Sequence, residues 1–332
     1  VILSRVILAL LTLFIGRSFA SPACQDQIVG INLAGPEYGS SIASPASGRD
    51  YFFPTEPQLF YYKRKGFNAI RIPLAWEHLQ PNLYGPLNEK YAAEVEKILL
   101  DAHRHKLMVV LDLHNYDRFK GVLVGTEQVP YTALEYLWAK TASRFKDYPA
   151  LLAYGIMNEP HHTNQTWVFA AQYGVNGVRS SDLIHKIYIG GDDWSGTSAW
   201  TKSNPKPFVT DPANKIVYEG HIYLDDDHSG KYIKSTRDLN YSYRANDRLA
   251  PFLNWLKTYS QRGVIGEWGI PANDPLWLPV MKIFIEILAK ECLDSFVWAG
   301  GKWNPNYILS LEPSQDGQDK LLVAVIKEWR GY

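Results

Sequence analysis

The chain has 332 residues, with 34 basic and 34 acidic side chains and a formal net charge of +0. Balanced charge without a Lys/Arg cluster excludes a polyanion-binding face of the kind nucleic acid requires. The length admits one large barrel or two modest domains, and the 11 Trp and 21 Tyr suit either a large core or a cleft with flat apolar faces for sugar rings.

Residues 1–20 read as a secretory leader. Arg5 precedes an apolar stretch at 6–15 that is too short to span a bilayer comfortably, and Ser18-Phe19-Ala20 offers a small-x-small cleavage site. The mature, secreted domain is then 21–332. Cys24 and Cys292 are the only cysteines. In a secreted chain they suggest one disulfide, with two unrelated thiols as the alternative.

Eight short apolar runs follow, at 28–35, 69–76, 107–115, the 150s, 186–191, 216–224, 264–270 and 295–301. Helical patterns lie between them. Residues 88–106 put Tyr91, Val95, Ile98 and Leu99 on one stripe behind Asn88 as N-cap. Thr132 and Glu135 suggest a capping box ahead of Leu134, Leu137 and Trp138. Leu249, Phe252, Leu253 and Leu256 repeat the stripe, with Gly263 as its stop. Residues 317–330 supply a last helix, and the stretch after the fifth run shows no clear one. This alternation predicts an α/β fold, a (β/α)8 TIM barrel forming a single catalytic domain. An open doubly wound sheet fits less well, because NLAGPEYG rather than G-x-G-x-x-G follows the first run. Barrel closure would make the first and last strands neighbours and bring Cys24 and Cys292 to the same bottom rim.

Barrel enzymes build their sites from the C-terminal ends of the strands. Those ends carry Asn32, Arg71, His114 with Asn115, Asn158 with Glu159, His221 with Tyr223, Glu267 and Trp298. Singly, each has a structural explanation: a turn amide, a core histidine, an ion-pair partner. Together they put polar groups on one rim of an apolar barrel. Glu159 and Glu267 would face each other across the mouth, the arrangement used in glycoside hydrolysis, where one carboxyl is protonated and the other ionised. Arg71 beside Glu267 would keep that carboxylate ionised as nucleophile, leaving Glu159 as acid/base. Asn158 can donate to a sugar 2-hydroxyl, Tyr223 and His221 can orient the pair, and Trp298 can floor the subsite. This chemistry calls for no metal and no cofactor.

At this point the chain resembles glycoside hydrolase family 5 over nearly its whole mature length. It matches the family's eight hallmark positions at Arg71 in IRIP, His114 in DLHNY, Asn158 and Glu159 in MNEP, His221 and Tyr223 in HIY, Glu267 in GEWG, and Trp298 in FVWAGG. GINLAGPEYG, GGDDWSG around Trp194, DPANKIVYEGHIYLDDDHSG and YILSLEP are similar to its cellulase branch. The resemblance implies a retaining endo-β-1,4-glucanase, with Glu159 as acid/base and Glu267 as nucleophile. The branch often carries a tryptophan pair after strand eight; in GGKWNPNY, Trp303 matches one member and Asn304 replaces the other. The expected partner is a β-1,4-linked glucan, bound by a monomer without membrane contact once the leader is removed.

Three rivals remain. A β-mannanase or other β-glucan hydrolase would share the fold and both glutamates. A metal-dependent barrel hydrolase would need its ligands among His103, His105, His161 and His162, but i and i+2 on a helix do not share a face. A non-catalytic carbohydrate-binding barrel would have no use for the intact carboxylate pair. Asp225, Asp226 and Asp227 read as a solvated turn rather than a calcium site. Asn164 and Asn240 have the form of glycosylation acceptors, and Trp76 could stack on sugar or pack the rim.

Overall fold

The computed structural model describes residue 24 and residues 26–233, 241–303 and 306–332. The leader at 1–20, Asn240 and Asn304 lie outside the described residues. Eight parallel strands close into a barrel: β1 (Val29–Ala34), β2 (Ala69–Leu74), β3 (Met108–Leu113), β4 (Leu151–Gly155), β5 (Lys186–Gly190), β6 (Ile216–Tyr223), β7 (Gly263–Gly269) and β8 (Asp294–Gly301). All eight predicted runs are barrel strands, and β1 pairs with β8 to complete the ring. A short antiparallel hairpin, Arg118–Phe119 with Val122–Leu123, projects after β3. Two residues per strand are too few to show as an apolar run.

The barrel interior is layered. Its bottom is plugged by Ile28, Ala69, Val110, Ala153, Tyr188, Val217, Val264 and Phe296, each from the start or body of a different strand. Large rings and small alanines share the layer, so it fills without overpacking. Gly30 belongs to this fit, because a Cβ there would come 2.2 Å from the Phe296 ring. Two residues further along β2, β3 and β6, the same inward face carries Arg71, Asp112 and Glu219. Strand side chains alternate faces with period two, so the polar layer sits directly on the apolar plug.

Outside the barrel, helices at Glu56–Arg64, Glu89–Arg104, Tyr131–Phe145, Trp167–Arg179, Trp200–Ser203, Tyr241–Thr258, Leu278–Lys290 and Leu321–Trp329 follow the eight strands in turn. Asn88 caps the second, its side chain accepting from the Lys90 and Tyr91 amides. The Thr132–Glu135 capping box does not form. Pro130 is the N-cap, which puts Thr132 inside the first turn, where its hydroxyl pairs with Tyr84 Oη instead. A capping interaction occurs at the first helix, where Gln58 Oε1 accepts from the Thr55 amide. Gly263 does not stop the sixth helix; it opens β7. Ser260, in the left-handed conformation at φ 50°, turns the chain so that the Gln261 amide reaches the Leu256 carbonyl. The last helix is shorter than predicted, starting at Leu321. The unassigned segment after β5 contains the one-turn helix Trp200–Ser203, too short for a periodic pattern. Cys24 and Cys292 form a disulfide at the bottom rim (S–S 1.97 Å).

Candidate active site

Arg71 is fully buried at the centre of the barrel. Its Nη1 donates to Asn32 Oδ1 (2.9 Å) and Glu267 Oε1 (3.3 Å), and its Nη2 to Asn158 Oδ1 (2.9 Å). Nη2 is also ion-paired with Asp112 Oδ1 and Glu219 Oε1, both at 2.9 Å. Burial opposes its charge, but the carboxylates of Asp112, Glu219 and Glu267 outweigh burial and hold it protonated. One cation thus fixes groups from five strands or strand ends.

Glu267 reaches this cluster through a bulge. The β6–β7 register runs Glu219 to Val264 and Gly220 to Ile265, then His221 to Glu267, leaving Gly266 unpaired. The extra residue re-aims the strand, and Asn32 Nδ2 donates to the Gly266 carbonyl at 3.0 Å. Tyr223 Oη donates to Glu267 Oε2 at 2.9 Å. Burial first, then the nearby Glu267 charge, pushes the Tyr223 phenol far up, so it stays a donor. Burial, helped by the Glu159 charge, raises the Glu267 carboxyl overall, against the downward pull of His221, Arg71 and His114.

Glu159 lies beyond the end of β4 in the left-handed conformation, φ 45°, a strained state for a residue with a Cβ and one that recurs at functional sites. Its Oε1 is 2.8 Å from His221 Nδ1. Single ligating atoms of Glu159, His221 and Glu267 all lie within 4.8 Å of one another. That spacing would also suit a cation. Both His221 nitrogens are already engaged, however: Nδ1 by Glu159, and Nε2 by Glu219 Oε1 at 3.2 Å. Burial lowers the His221 pKa, but Glu267, Glu159 and Glu219 push it up to about 10. With its histidine bonded to a carboxylate on each side, this set of groups fits two-carboxylate chemistry.

His114 sits opposite, its Nδ1 2.9 Å from Asp112 Oδ2 and its Nε2 3.2 Å from Asn158 Nδ2. It stacks on Trp298 with 16° between the planes, and Trp298 Nε1 donates to Tyr307 Oη. Trp303 stacks on Tyr307 and meets Trp298 edge-on. On the other side, Trp194 is 43% exposed and lies flat on His161, ring centroids 3.5 Å apart. Asp193, Trp194 and Ser195 all have positive φ, and the Trp194 amide donates to the Pro160 carbonyl, which ties the Trp194 turn to the Glu159 loop. A cavity of about 610 Å³ opens from Glu159, His221 and Tyr223 past Trp194 to Asp227 and His228.

Asn115 does not join the cluster. Its Oδ1 accepts from the Trp76 amide and its Nδ2 donates to Glu77, so the amide braces loops. Trp76 is fully buried rim packing. Asp225 accepts from Ser229, Gly230 and Tyr232, which makes the aspartate run a loop brace. His105 pairs with Glu56 on the outer helices, away from the mouth, and Asn164 is exposed. Lys302 lies over the Phe52 ring. Sequence reasoning missed Asp112, Glu219, Gly266 and Tyr307, and took His161 only as a candidate metal ligand. The first two carried a signal: each stands two residues before a site histidine on the same strand face.

A family model for cellulase, glycosyl hydrolase family 5, matches residues 30–304. The chain belongs to this family. It is a glycoside hydrolase, a cellulase. It is similar to Pseudomonas stutzeri endoglucanase Cel5A, solved in complex with cellobiose, at 36% identity over 91% of this chain and 92% of that one, with a TM-score of 0.88. An endo-β-1,4-glucanase from Xanthomonas axonopodis pv. citri, solved as a triple mutant, is 31% identical with a TM-score of 0.84, covering 92% of this chain and 99% of that one. Endo-beta-1,4-glucanase B of Emericella nidulans is 28% identical over 90% of this chain and 91% of its own length. Among the described residues, no helix is long and apolar enough to cross a membrane.

Proposed function

We propose that this enzyme is a secreted endo-β-1,4-glucanase, monomeric after loss of residues 1–20, that cleaves internal bonds of a soluble or amorphous β-1,4-glucan with retention. The observation that carries the mechanism is the unequal surroundings of two close carboxyls. Glu267 has Arg71 and the Tyr223 hydroxyl on its two oxygens, whereas Glu159, among the described residues, has only His221 within hydrogen-bond reach. Two donors on Glu267 favour its carboxylate form, as a nucleophile requires. Glu159 then protonates the leaving oxygen while Glu267 attacks the anomeric carbon. The glycosyl-enzyme is hydrolysed when Glu159, now a carboxylate, takes a proton from water. One oxygen of each lying within 4.8 Å of the other supports the retaining separation of about 5–5.5 Å over the roughly 6.5–9.5 Å of an inverting site.

Asn158 keeps one amide hydrogen free of His114 and can offer it to a 2-hydroxyl. Trp298, backed by His114 and Tyr307, floors one subsite; Trp194 on His161 supplies a platform beyond Glu159. The relatives' names support glucan as substrate. Reducing-sugar release by residues 21–332 from carboxymethylcellulose and galactomannan, side by side, tests the choice. Release from the cellulose derivative alone is expected; release mainly from the mannan would make the enzyme a β-mannanase with the same two glutamates.

A further inference from the structure

The polar layer contains a repeated element. Asp112 on β3 with His114 just past its end, and Glu219 with His221 on β6, are each an acid two residues before a histidine. Both acids meet the same nitrogen, Arg71 Nη2, at 2.9 Å. Each also binds its own histidine: Asp112 Oδ2 to His114 Nδ1 at 2.9 Å and Glu219 Oε1 to His221 Nε2 at 3.2 Å. The β6 copy continues to the reacting groups, because His221 Nδ1 lies 2.8 Å from Glu159 Oε1 and 3.6 Å from Glu267 Oε2. Glu219 itself is buried and touches no cleft surface.

We infer that Glu219 is a positioning residue of the reaction, acting on Glu159 through His221, and that the Gly266 bulge is kept free of a side chain to make room for it. A Cβ at Gly266 would lie 1.8 Å from Glu219 Oε1 and 2.4 Å from its carboxyl carbon, so the residue before Glu267 is glycine because the Glu219 carboxylate occupies its side-chain space. With Glu219 on Nε2, that nitrogen carries the proton. Nδ1 then serves both states of Glu159. As an imidazolium its N–H donates to the unprotonated oxygen of the acid form and then to the carboxylate that activates water. A carboxylate behind a histidine orients the ring and raises its basicity, and behind a metal-binding histidine its loss costs on the order of 10–100-fold. The inference rests on Glu159 being the acid/base.

The test is the ionisation of His221, read by long-range ¹H–¹⁵N NMR, together with the pH profile of kcat on an aryl cellobioside, in wild type, Glu219→Gln and Gly266→Ala. In the wild type, His221 should keep its Nε2 proton and titrate near 10; titration at an unperturbed 6.5 overturns the inference before any variant is made. Glu219→Gln keeps the size and removes the charge. It should lower the His221 titration, distort the pH profile and lower kcat by about 10–100-fold, with KM within about threefold. Gly266→Ala displaces the carboxylate without removing it and carries the same expectation if Glu219→Gln does not fold. A folded variant with wild-type His221 titration and an unchanged profile shape would reduce Glu219 to a structural ion pair. Full turnover in Glu159→Gln would instead refute the acid/base assignment, and the NMR result would still report whether Glu219 governs His221.

Discussion

His221 stands directly opposite Glu267 in the β6–β7 register, yet its Nδ1 is closer to Glu159 (2.8 Å) than to Glu267 (3.6 Å). One imidazole on one strand therefore spans the two carboxyls that perform the reaction. The Gly266 bulge is what permits this. It advances Glu267 by one residue, so that Glu267 faces inward to Arg71 and Tyr223 while His221 turns to the other wall.

Glu267→Gln removes the nucleophile and leaves the shape of the cleft intact. Turnover should fall by at least about 10⁴-fold, with cello-oligosaccharide binding retained in calorimetry. A rate near wild type would end the assignment of Glu267.

Trp194→Ala should act on binding. The exposed ring on His161 touches neither Glu159 nor Glu267, so its loss removes contact area that ground and transition states share. Loss of an aromatic contact worth about 0.5–1.5 kcal/mol should raise KM for long oligosaccharides by up to about tenfold with kcat little changed. A fall in kcat at constant KM would place Trp194 in the transition state instead.

Two groups give stability a pH dependence of known sign. Glu37, half-buried beyond the end of β1, has its carboxyl pushed up to about 7 by desolvation, against the pull of His114. The folded state then holds this proton more tightly than the unfolded chain, so the associated stability is present below 4.5 and lost as pH rises to about 7. For His221 the window is higher: full below 6.5 and lost as pH rises through about 10. Melting curves should show Tm falling in both windows, and Glu37→Gln should flatten only the lower one. An unchanged lower step in that variant would assign the step elsewhere.

The disulfide joins residues 268 apart at the barrel's bottom rim, the end opposite the site. Replacing both cysteines with serine should lower Tm by about 5–10 °C through the gain in unfolded-state freedom. Initial rates at 25 °C should not change; a loss of activity there would show the bottom rim coupled to the mouth.

The barrel was legible because each strand is an apolar run closed by a polar group, and the site because those closing groups share one rim. The features that failed to show were those in which composition does not reveal position. Gly266 reads as one more residue of VIGEWGI, since a bulge adds a residue without changing the pattern. Glu219 sits mid-strand in IVYEGHIY, where an acid looks like an interruption until Arg71 is seen beside it. Asn115 looked like a ligand group because the demands of the Trp76 amide and Glu77 on it arise only in the folded loops. Ser260 ended a helix in a conformation expected of glycine, which drew attention to Gly263 instead.

The central claim is that Glu159 and Glu267 act by double displacement. Proton NMR of the anomeric signals during hydrolysis of a cello-oligosaccharide tests it most directly. The account predicts that the β-anomer appears first and the α-anomer grows in later by mutarotation. Initial release of the α-anomer would mean single displacement by water and would contradict it.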